Sequence, residues 1–220
     1  MTDLKLYGYW RSSAAYRVRI ALGLKGLDYD YVSVHLLRGG GEQRTSSYRQ
    51  LNPGARVPTL EVDGQPIYQS VAILEWLEEQ YPDPPLLPAD PLLRARARGI
   101  SQMIVADIQP LQNLSVTQYL EGVAGWDKEE LAAWLRHWIT RGLSTVETAL
   151  ESLDGERFAF GEAPTMVEAC LIPQCYAARR FGVDPASYPN ITRIERLCSE
   201  IPAFQRAAPE RQPDAEQPGA

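Results

Sequence analysis

The sequence VPTLEVDGQPIYQSVAILEWL, residues 57–77, predicts a β-hairpin that leads directly into a helix. Pro58 stands where the first strand begins, a position that tolerates the missing N–H. Asp63-Gly64 is a strong two-residue turn signal between the apolar residues of Thr59–Val62 and the returning strand at Ile67-Tyr68. Apolar residues then recur at helical spacing from Ile73 onwards, so the hairpin is followed by an amphipathic helix.

We expect Ser70 to cap the N-terminus of this helix. The unpaired N–H groups at a helix start, together with the helix dipole, attract a carboxylate or a phosphate. The edge strand just before the helix is suited to pairing with an extended peptide. A small peptide that carries a carboxylate therefore fits this stretch, whereas an ordinary βα unit with a good cap remains the plainer alternative.

Upstream, the first 35 residues show a strand, a helix and a second strand. Leu4–Tyr7 is strand-like, Ala14–Leu22 has helical periodicity that ends near Gly26, and Tyr29–Val34 is the second strand. A right-handed crossover makes the two strands parallel. The glycine-rich residues 38–47 predict a loop or a weak helix, and with the hairpin the pattern is that of a small mixed sheet with helices on its faces.

Downstream, residues 82–91 contain five prolines and predict an extended linker. We expect an α/β domain over residues 1–82, a linker over 83–91 and an all-helical domain over 92–220. Its last dozen residues are polar, and we expect them to be loosely held. The helical signals are a segment from Leu92 to Leu120 kinked at Pro110, a segment from Lys128 to Leu153, a Thr165–Glu168 capping box and a helix from Tyr188 to Cys198.

Composition narrows the classes of function. The chain has 220 residues and a formal net charge of −6, so neither nucleic acid nor an anionic membrane is an expected partner. Apolar runs are too short to span a membrane, and no signal-peptide pattern is present. Three cysteines are too few for a disulfide framework, which predicts a reducing, cytoplasmic location. His35 and His137 lack metal-ligand spacing, Gly39–Gly41 is not followed by a phosphate-loop lysine, and no metal site is expected.

Several motifs together resemble the zeta-class glutathione transferase and maleylacetoacetate isomerase family. Residues 12–22, SSAAYRVRIAL, are similar to the class signature SSCxxRVRIAL, with Ala14 in place of its cysteine. IQPLQNLSV at 108–116 and RRFGVD at 179–184 resemble further segments of the class. The resemblance covers about residues 4–214. It implies the cytosolic glutathione transferase fold, a thioredoxin-like α/β N-terminal domain plus an all-α C-terminal domain.

The resemblance also implies glutathione as cofactor. Ser12 would activate its thiol with Ser13 in support, although a serine at a helix start is also an ordinary cap. The binding residues implied for glutathione are Ser12, Gln43, Val57, Gln69, Ser70, Gln109, Asn113 and Ser115, and the Val57-Pro58 bond would be cis. Gln109 and Asn113 are four residues apart, which would place them on one helical face.

Arg11 and Arg180 are the candidates for binding the substrate carboxylates, with Arg11 also assigned to catalysis. An arginine fork matches a carboxylate well, but a surface or ion-pair role is the commoner one for any single arginine. Arg17 and Arg19 are predicted to be structural ion-pair formers, and Cys170 and Cys175 to be buried and inert.

The activity implied is glutathione-dependent cis–trans isomerisation of maleylacetoacetate to fumarylacetoacetate, a step of tyrosine and phenylalanine catabolism. The alternatives are maleylpyruvate isomerisation, transferase activity on small α-halo acids, and a non-catalytic glutathione-binding module. Some maleylpyruvate isomerases carry arginines just after the Asn113 position, where this chain has Leu114 and Ser115. The expected partners are glutathione, a small dicarboxylic acid and, as a homodimer, a second copy of the chain.

Overall fold

A computed structural model describes residues 2–153 and 157–216. The chain divides into two compact units. One contains the residues up to Pro85 together with those from Glu200 onwards, and the other is Leu86–Ser199. The return of residues 200–216 to the first unit differs from the expected helical domain over 92–220. The boundary after Pro85 falls within the predicted linker, and Leu86 and Leu87 are already buried.

The first unit is built on a mixed sheet of order β2-β1-β3-β4. Its strands are β1 (Leu4–Gly8), β2 (Asp30–Ser33), β3 (Thr59–Val62) and β4 (Gln65–Tyr68). β1 is parallel to β2 and antiparallel to β3, and β3 and β4 form the predicted hairpin. Leu6 and Leu60 lie opposite each other and are fully buried, while the neighbouring pair Lys5 and Glu61 forms an ion pair at 3.2 Å. The alternation in the sequence therefore sets the register.

The helices of this unit are α1 (Ser13–Leu24), α2 (Ser46–Leu51), α3 (Ser70–Gln80) and α9 (Pro202–Ala207). α1 packs against both α3 and α9. Gly26, with φ of +67°, follows the C-cap of α1 as predicted. The segment predicted as a loop or weak helix contains short 3₁₀ turns at Arg38–Gly40 and Glu42–Arg44, and then α2.

The second unit is helical. Its helices are α4 (Pro91–Gln102), α5 (Leu114–Gly122), α6 (Lys128–Glu151), α7 (Met166–Arg180) and α8 (Pro189–Ser199). The capping box predicted at Thr165 and Glu168 is confirmed at the start of α7. No helix in the described part of the chain is both long and apolar enough to cross a membrane.

The prediction of a single kinked helix from Leu92 to Leu120 is wrong. α4 passes into a π-helical segment at Met103–Ile108 and a 3₁₀ turn at Gln109–Gln112, and α5 then begins as a separate helix. Pro110 lacks an N–H and its ring clashes with the carbonyl four residues earlier, so the chain does not continue as an α-helix through it.

Candidate active site

Three segments of the first unit reach one end of the sheet. Gly8 ends β1, and its neighbour Tyr7 pairs with Thr59, the first residue of β3. Thr59 pairs in turn with Tyr68, the last residue of β4. The loop after β1, the residues before β3 and the start of α3 therefore converge at this end. β2 also finishes there, because Gly8 pairs with Ser33.

Ser12 caps α1. Its Oγ accepts a hydrogen bond from the Ala15 N–H at 3.2 Å. Such a cap uses a lone pair of the hydroxyl and leaves its proton available. Among the described residues nothing accepts that proton. Ser13 is the first residue of α1, so two adjacent hydroxyl-bearing residues occupy the positive end of the helix.

Ser70 is not the cap of α3, which corrects the sequence prediction. The N-cap is Gln69, which has φ of +69° and makes no side-chain capping bond. Ser70 is the first helical residue, and its buried Oγ accepts a hydrogen bond from Nη1 of Arg17 at 3.2 Å. Arg17 lies 53 positions away in sequence, so local capping rules could not find this contact.

Two residues near the start of α3, Val57 and Gln69, have polar groups that remain open. The Val57-Pro58 bond is cis, as the resemblance implied. Within residues 2–153 and 157–216, neither the N–H nor the carbonyl of Val57 has a hydrogen-bond partner. The exposed side-chain amide of Gln69 likewise makes no bond to a described residue.

The electrostatics of this end favour an anion. α1 and α3 both begin here, and neither has an acidic residue in its first turn. Each helix start contributes a partial positive charge, and the Arg17 guanidinium is buried behind Ser70. The site can therefore hold a small peptide through open main-chain groups and stabilise a carboxylate or a thiolate beside them.

Arg11 and Gln43 belong to the same unit but differ in availability. The Arg11 guanidinium lies 4.9 Å from the ring centroid of Trp10, and no described residue forms an ion pair with it. Gln43 is 5% exposed, and its Nε2 donates to the Leu36 carbonyl at 3.3 Å. Its amide nitrogen thus supports the loop, so Gln43 is a weaker candidate for ligand contact than the resemblance implied.

Gln109, Asn113 and Ser115 lie in the helical unit. Asn113 has extended backbone and is the N-cap of α5, where its Oδ1 accepts from the N–H and the Oγ of Ser115 at 3.0 and 2.9 Å. Gln109 opens the preceding 3₁₀ turn. The expectation that Gln109 and Asn113 share a face of one helix is therefore wrong, because the helix is broken between them.

Arg179 and Arg180 differ in their surroundings near the end of α7. Arg179 forms a bidentate ion pair with Glu195. The Arg180 guanidinium lies 5.2 Å from the ring centroid of Phe181. The two neighbouring arginines therefore have different surroundings, Arg179 an acidic partner and Arg180 an aromatic ring.

The cysteines are buried as thiols. Burial raises the pKa of both Cys175 and Cys198, so these thiols stay protonated at neutral pH. Ala14, the second residue of α1, supplies no thiol at the candidate site. No cluster of metal-binding side chains is found among the described residues.

Comparison with known proteins identifies the family. The glutathione S-transferase N-terminal domain matches residues 6–85. The maleylacetoacetate isomerase of Pseudomonas aeruginosa is 48% identical, over 96% of this chain and 98% of its own. The holo structure of a maleylpyruvate isomerase, a bacterial glutathione S-transferase of the zeta class, superposes with a TM-score of 0.93 at 43% identity, covering 96% of this chain and all of that one. This chain belongs to the zeta-class glutathione transferase family.

A further relative has been solved with ligands. The maleylacetoacetate isomerase of Anaeromyxobacter dehalogenans, with glutathione bound in its active site, has a TM-score of 0.86 and 46% identity, over 98% of this chain and 99% of its own. Another structure of that protein holds dicarboxyethyl glutathione and citrate in the active site. The chain thus spans the length of the zeta-class proteins it matches, and its fold is theirs.

The contacts of Arg19 and Asp214 were not predicted from the sequence. Arg19 is buried, but its Nε and Nη2 donate to the main-chain carbonyls of Ala207 and Trp10 rather than forming the predicted ion pair. Asp214 lies in the tail that was expected to be loosely held, yet it accepts three hydrogen bonds in the first unit. The bond of Arg19 to Ala207 and the bonds of Asp214 join segments that are distant in sequence, so no local pattern signals them.

Proposed function

We propose that this chain catalyses the glutathione-dependent cis–trans isomerisation of maleylacetoacetate to fumarylacetoacetate. The observation that carries the proposal is the end of the sheet where the Ser12 hydroxyl, the open main chain of Val57 and the start of α3 converge. The identity of 48% with a maleylacetoacetate isomerase over nearly the whole chain supports that substrate.

Glutathione fits the groups that are open at this site. The N–H and carbonyl of Val57 would pair with the cysteinyl unit, as an added strand pairs with an edge. The γ-glutamyl carboxylate would lie at the N-terminus of α3, where Gln69 can donate from its exposed amide. When bound, glutathione supplies a thiolate that adds to the conjugated cis double bond, permits rotation about the resulting single bond, and leaves to give the trans isomer and the original thiol.

Ser12 would hold the thiolate. Its proton is uncommitted among the described residues, and its position at the start of α1 adds the positive end of a helix. A hydrogen bond and a positive potential both lower the pKa of a thiol from its ordinary value of about 8.5. Ser13 would contribute its N–H or hydroxyl from the same turn.

Arg11 and Arg180 would bind the acidic ends of the substrate. A guanidinium forms two parallel hydrogen bonds with a carboxylate and stays charged at any working pH. Arg11 is held against the Trp10 ring, which limits its conformations before substrate arrives. The proposal also includes glutathione contacts from Gln43, Gln109, Asn113 and Ser115. Of these, Nε2 of Gln43 and Oδ1 of Asn113 already form hydrogen bonds within the protein.

Maleylpyruvate is the second candidate substrate. The observation in its favour is the TM-score of 0.93 with a maleylpyruvate isomerase. Against it stand Leu114 and Ser115, which occupy positions where some of those enzymes carry arginines. Transferase activity on small α-halo acids would use the same glutathione thiolate. A purely binding role would not account for the Ser12 hydroxyl proton, which no described residue accepts.

We also propose a cytoplasmic homodimer. Its location is supported by the three cysteines, which are all free thiols, since disulfides are rare in cytosolic proteins. Its assembly is supported by exposed apolar side chains in both units, with Tyr68 38%, Leu92 69% and Leu93 39% exposed. We propose that the residues before the linker form the glutathione-binding domain and that the helical residues form the substrate domain.

The substrate assignment is tested by comparing kcat/KM for maleylacetoacetate and maleylpyruvate in the parent, Arg11→Ala and Arg180→Ala proteins, with conjugation of an uncharged chloro-aromatic acceptor as control. We expect maleylacetoacetate to be preferred. Each arginine variant should raise KM for the diacid by a factor equivalent to about 1.5–3 kcal/mol, the value of a hydrogen bond to a charged group, and should barely affect the neutral acceptor. Equal losses on charged and uncharged acceptors would contradict the substrate roles of these arginines.

A further inference from the structure

The turn that carries Ser12 is held at Trp10, whose main-chain N–H and carbonyl both form hydrogen bonds with charged side chains. The Ser12 N–H donates to the Tyr9 carbonyl at 2.9 Å, which closes the turn between β1 and α1. The Trp10 carbonyl accepts from Nη2 of Arg19 at 2.9 Å, and the Trp10 N–H donates to Oδ2 of Asp214 at 3.0 Å. Both polar main-chain groups of Trp10 are therefore held by charged side chains, one from α1 and one from the C-terminal segment.

The same carboxylate oxygen of Asp214 also ties β2 to this turn. It accepts from the Tyr31 hydroxyl at 3.2 Å and from the Ser33 Oγ at 3.1 Å. Burial and the Asp214 carboxylate both raise the pKa of Tyr31, so the phenol keeps the proton that it donates. Three donors from two segments thus converge on one oxygen, and hydrogen bonds to a charged acceptor are the strong ones.

The segment that presents Asp214 is itself anchored to α1. The Arg19 Nε donates to the carbonyl of Ala207, the last residue of α9, at 3.0 Å. The Gln212 side chain donates to the carbonyls of Arg206 and Ala208, both at 2.9 Å, which closes the chain just before Asp214. Arg19 thus contacts both the Trp10 turn and the segment that carries Asp214.

We propose that Asp214 is a positioning residue for the Ser12 hydroxyl, acting through the Trp10 N–H. The assignment rests on the proposed function, because it gives the C-terminal segment a part in activating the glutathione thiol. A short loop between a strand and a helix is free to shift unless its main chain is held, and a displacement of about 1 Å at a catalytic group can cost about a hundredfold in rate. The alternative is that Asp214 anchors only its own tail.

Amide hydrogen exchange measured residue by residue by NMR separates these possibilities without glutathione. In Asp214→Ala we expect the Trp10 amide to exchange faster by at least about tenfold, as for a lost hydrogen bond to a charged group. The decisive amide is that of Ala15, which Ser12 Oγ protects. Positioning predicts that it also exchanges faster, towards the rate seen in Ser12→Ala, whereas anchoring of the tail alone predicts no change at Ala15.

Two further variants serve as controls. Arg211→Ala changes an exposed residue of the same tail whose side chain makes no hydrogen bond to a described residue, so both amides should keep their parent rates. Asp214→Asn retains an oxygen acceptor for the Trp10 N–H and should largely restore the protection of Ala15. Asp214→Leu, which keeps the bulk of the side chain without an acceptor, serves in place of Asp214→Ala if that variant does not fold. An Ala15 amide at the parent rate in folded Asp214→Ala, or in Asp214→Leu if it is used, would overturn the proposal.

The consequence for catalysis is read from bound glutathione. In Asp214→Ala we expect the ultraviolet thiolate absorbance to appear at higher pH and kcat to fall by about 10- to 100-fold with little change in KM for the diacid. An unchanged thiolate titration in a protein that binds glutathione would also overturn the positioning role. If the parent protein binds no glutathione, the proposed function fails by itself, while the Ala15 exchange result still decides whether Asp214 positions Ser12.

Discussion

At the scale of single residues, the Ser12 hydroxyl combines two roles that need different parts of the group. A lone pair receives the Ala15 N–H, and the proton remains for another acceptor. The sequence predicted a residue at this place that either caps or activates, and the geometry is compatible with both at once. The cap contributes to stability, whereas the proton would contribute to the pKa of a bound thiol.

We therefore predict that Ser12→Ala impairs thiol ionisation more than folding. The variant should lose about 0.5–2 kcal/mol of stability, the cost of a missing cap. The pKa of bound glutathione should rise towards its free value, which the thiolate absorbance near 240 nm reports. Ser12→Thr keeps both the cap and the proton and should resemble the parent. An identical titration curve in Ser12→Ala and parent would show that another donor activates the thiol.

Gln69 and Ser70 offer a contrast between binding and stability. Gln69 is exposed and uncommitted among the described residues, so Gln69→Ala should weaken glutathione binding with an unchanged melting temperature. Ser70→Ala should weaken binding by about 1–3 kcal/mol and also destabilise the fold, because it removes the acceptor of a buried Arg17 donor. Calorimetry and thermal unfolding check both. Unchanged glutathione affinity in the two variants would contradict the proposed cradle.

At the scale of elements, the strands and the hairpin were predictable because their signals are local. Alternating Leu4, Lys5, Leu6 and Tyr7, and the Asp63-Gly64 turn, each act within a few residues. The π-helical segment at Met103–Ile108 was not predictable, because Pro110 signals a break without saying how the chain accommodates it. The prediction of Ser70 as the N-cap of α3 was wrong for a similar reason. Its Oγ accepts a hydrogen bond from Arg17, 53 positions away, which no local pattern indicates.

The π-helical segment also requires a glycine opposite it. A Cβ built on Gly142 of α6 would lie 2.2 Å from Cγ1 of the buried Ile108. We predict that Gly142→Ala destabilises the protein by about 1–3 kcal/mol through overpacking. Gly99 in α4 is the matched control: its added Cβ would meet nothing within 4 Å, so Gly99→Ala should stabilise by about 0.5–1 kcal/mol. The free energy of unfolding in denaturant checks both variants. If Gly142→Ala raised it as much as Gly99→Ala, α6 and the segment Met103–Ile108 could move apart at no cost.

At the scale of the whole molecule, the least predictable feature is the return of the C-terminal segment to the first unit. Its polar, proline-rich composition indicated a loose tail, yet Asp214 bonds to the Trp10 N–H across 204 positions of sequence. The composition of this segment shows only that it lacks a pattern of core-forming apolar residues. It does not predict that a single carboxylate makes a specific contact elsewhere in the unit. The division into an α/β part and a helical part was predictable, because the periodicity changes from 2 to 3.6 after the linker.

The homodimer is a prediction at this scale. Light scattering at micromolar concentration should give twice the mass of one 24.6 kDa chain. Leu92→Glu, which places a charge on an exposed apolar position of α4, should shift the mass towards one chain if that face is part of the contact. A parent mass equal to a single chain would contradict the dimer.

The central claim is that a ligand thiol, and no thiol of the protein, drives isomerisation at the sheet end that carries Ser12. The direct measurement is the rate of maleylacetoacetate isomerisation by the parent protein with glutathione and with S-methylglutathione, which keeps the peptide and removes the reactive thiol. We predict rapid isomerisation with glutathione, whose concentration stays constant, and none above background with S-methylglutathione. Isomerisation at the same rate with S-methylglutathione, or no isomerisation with glutathione, would contradict the account.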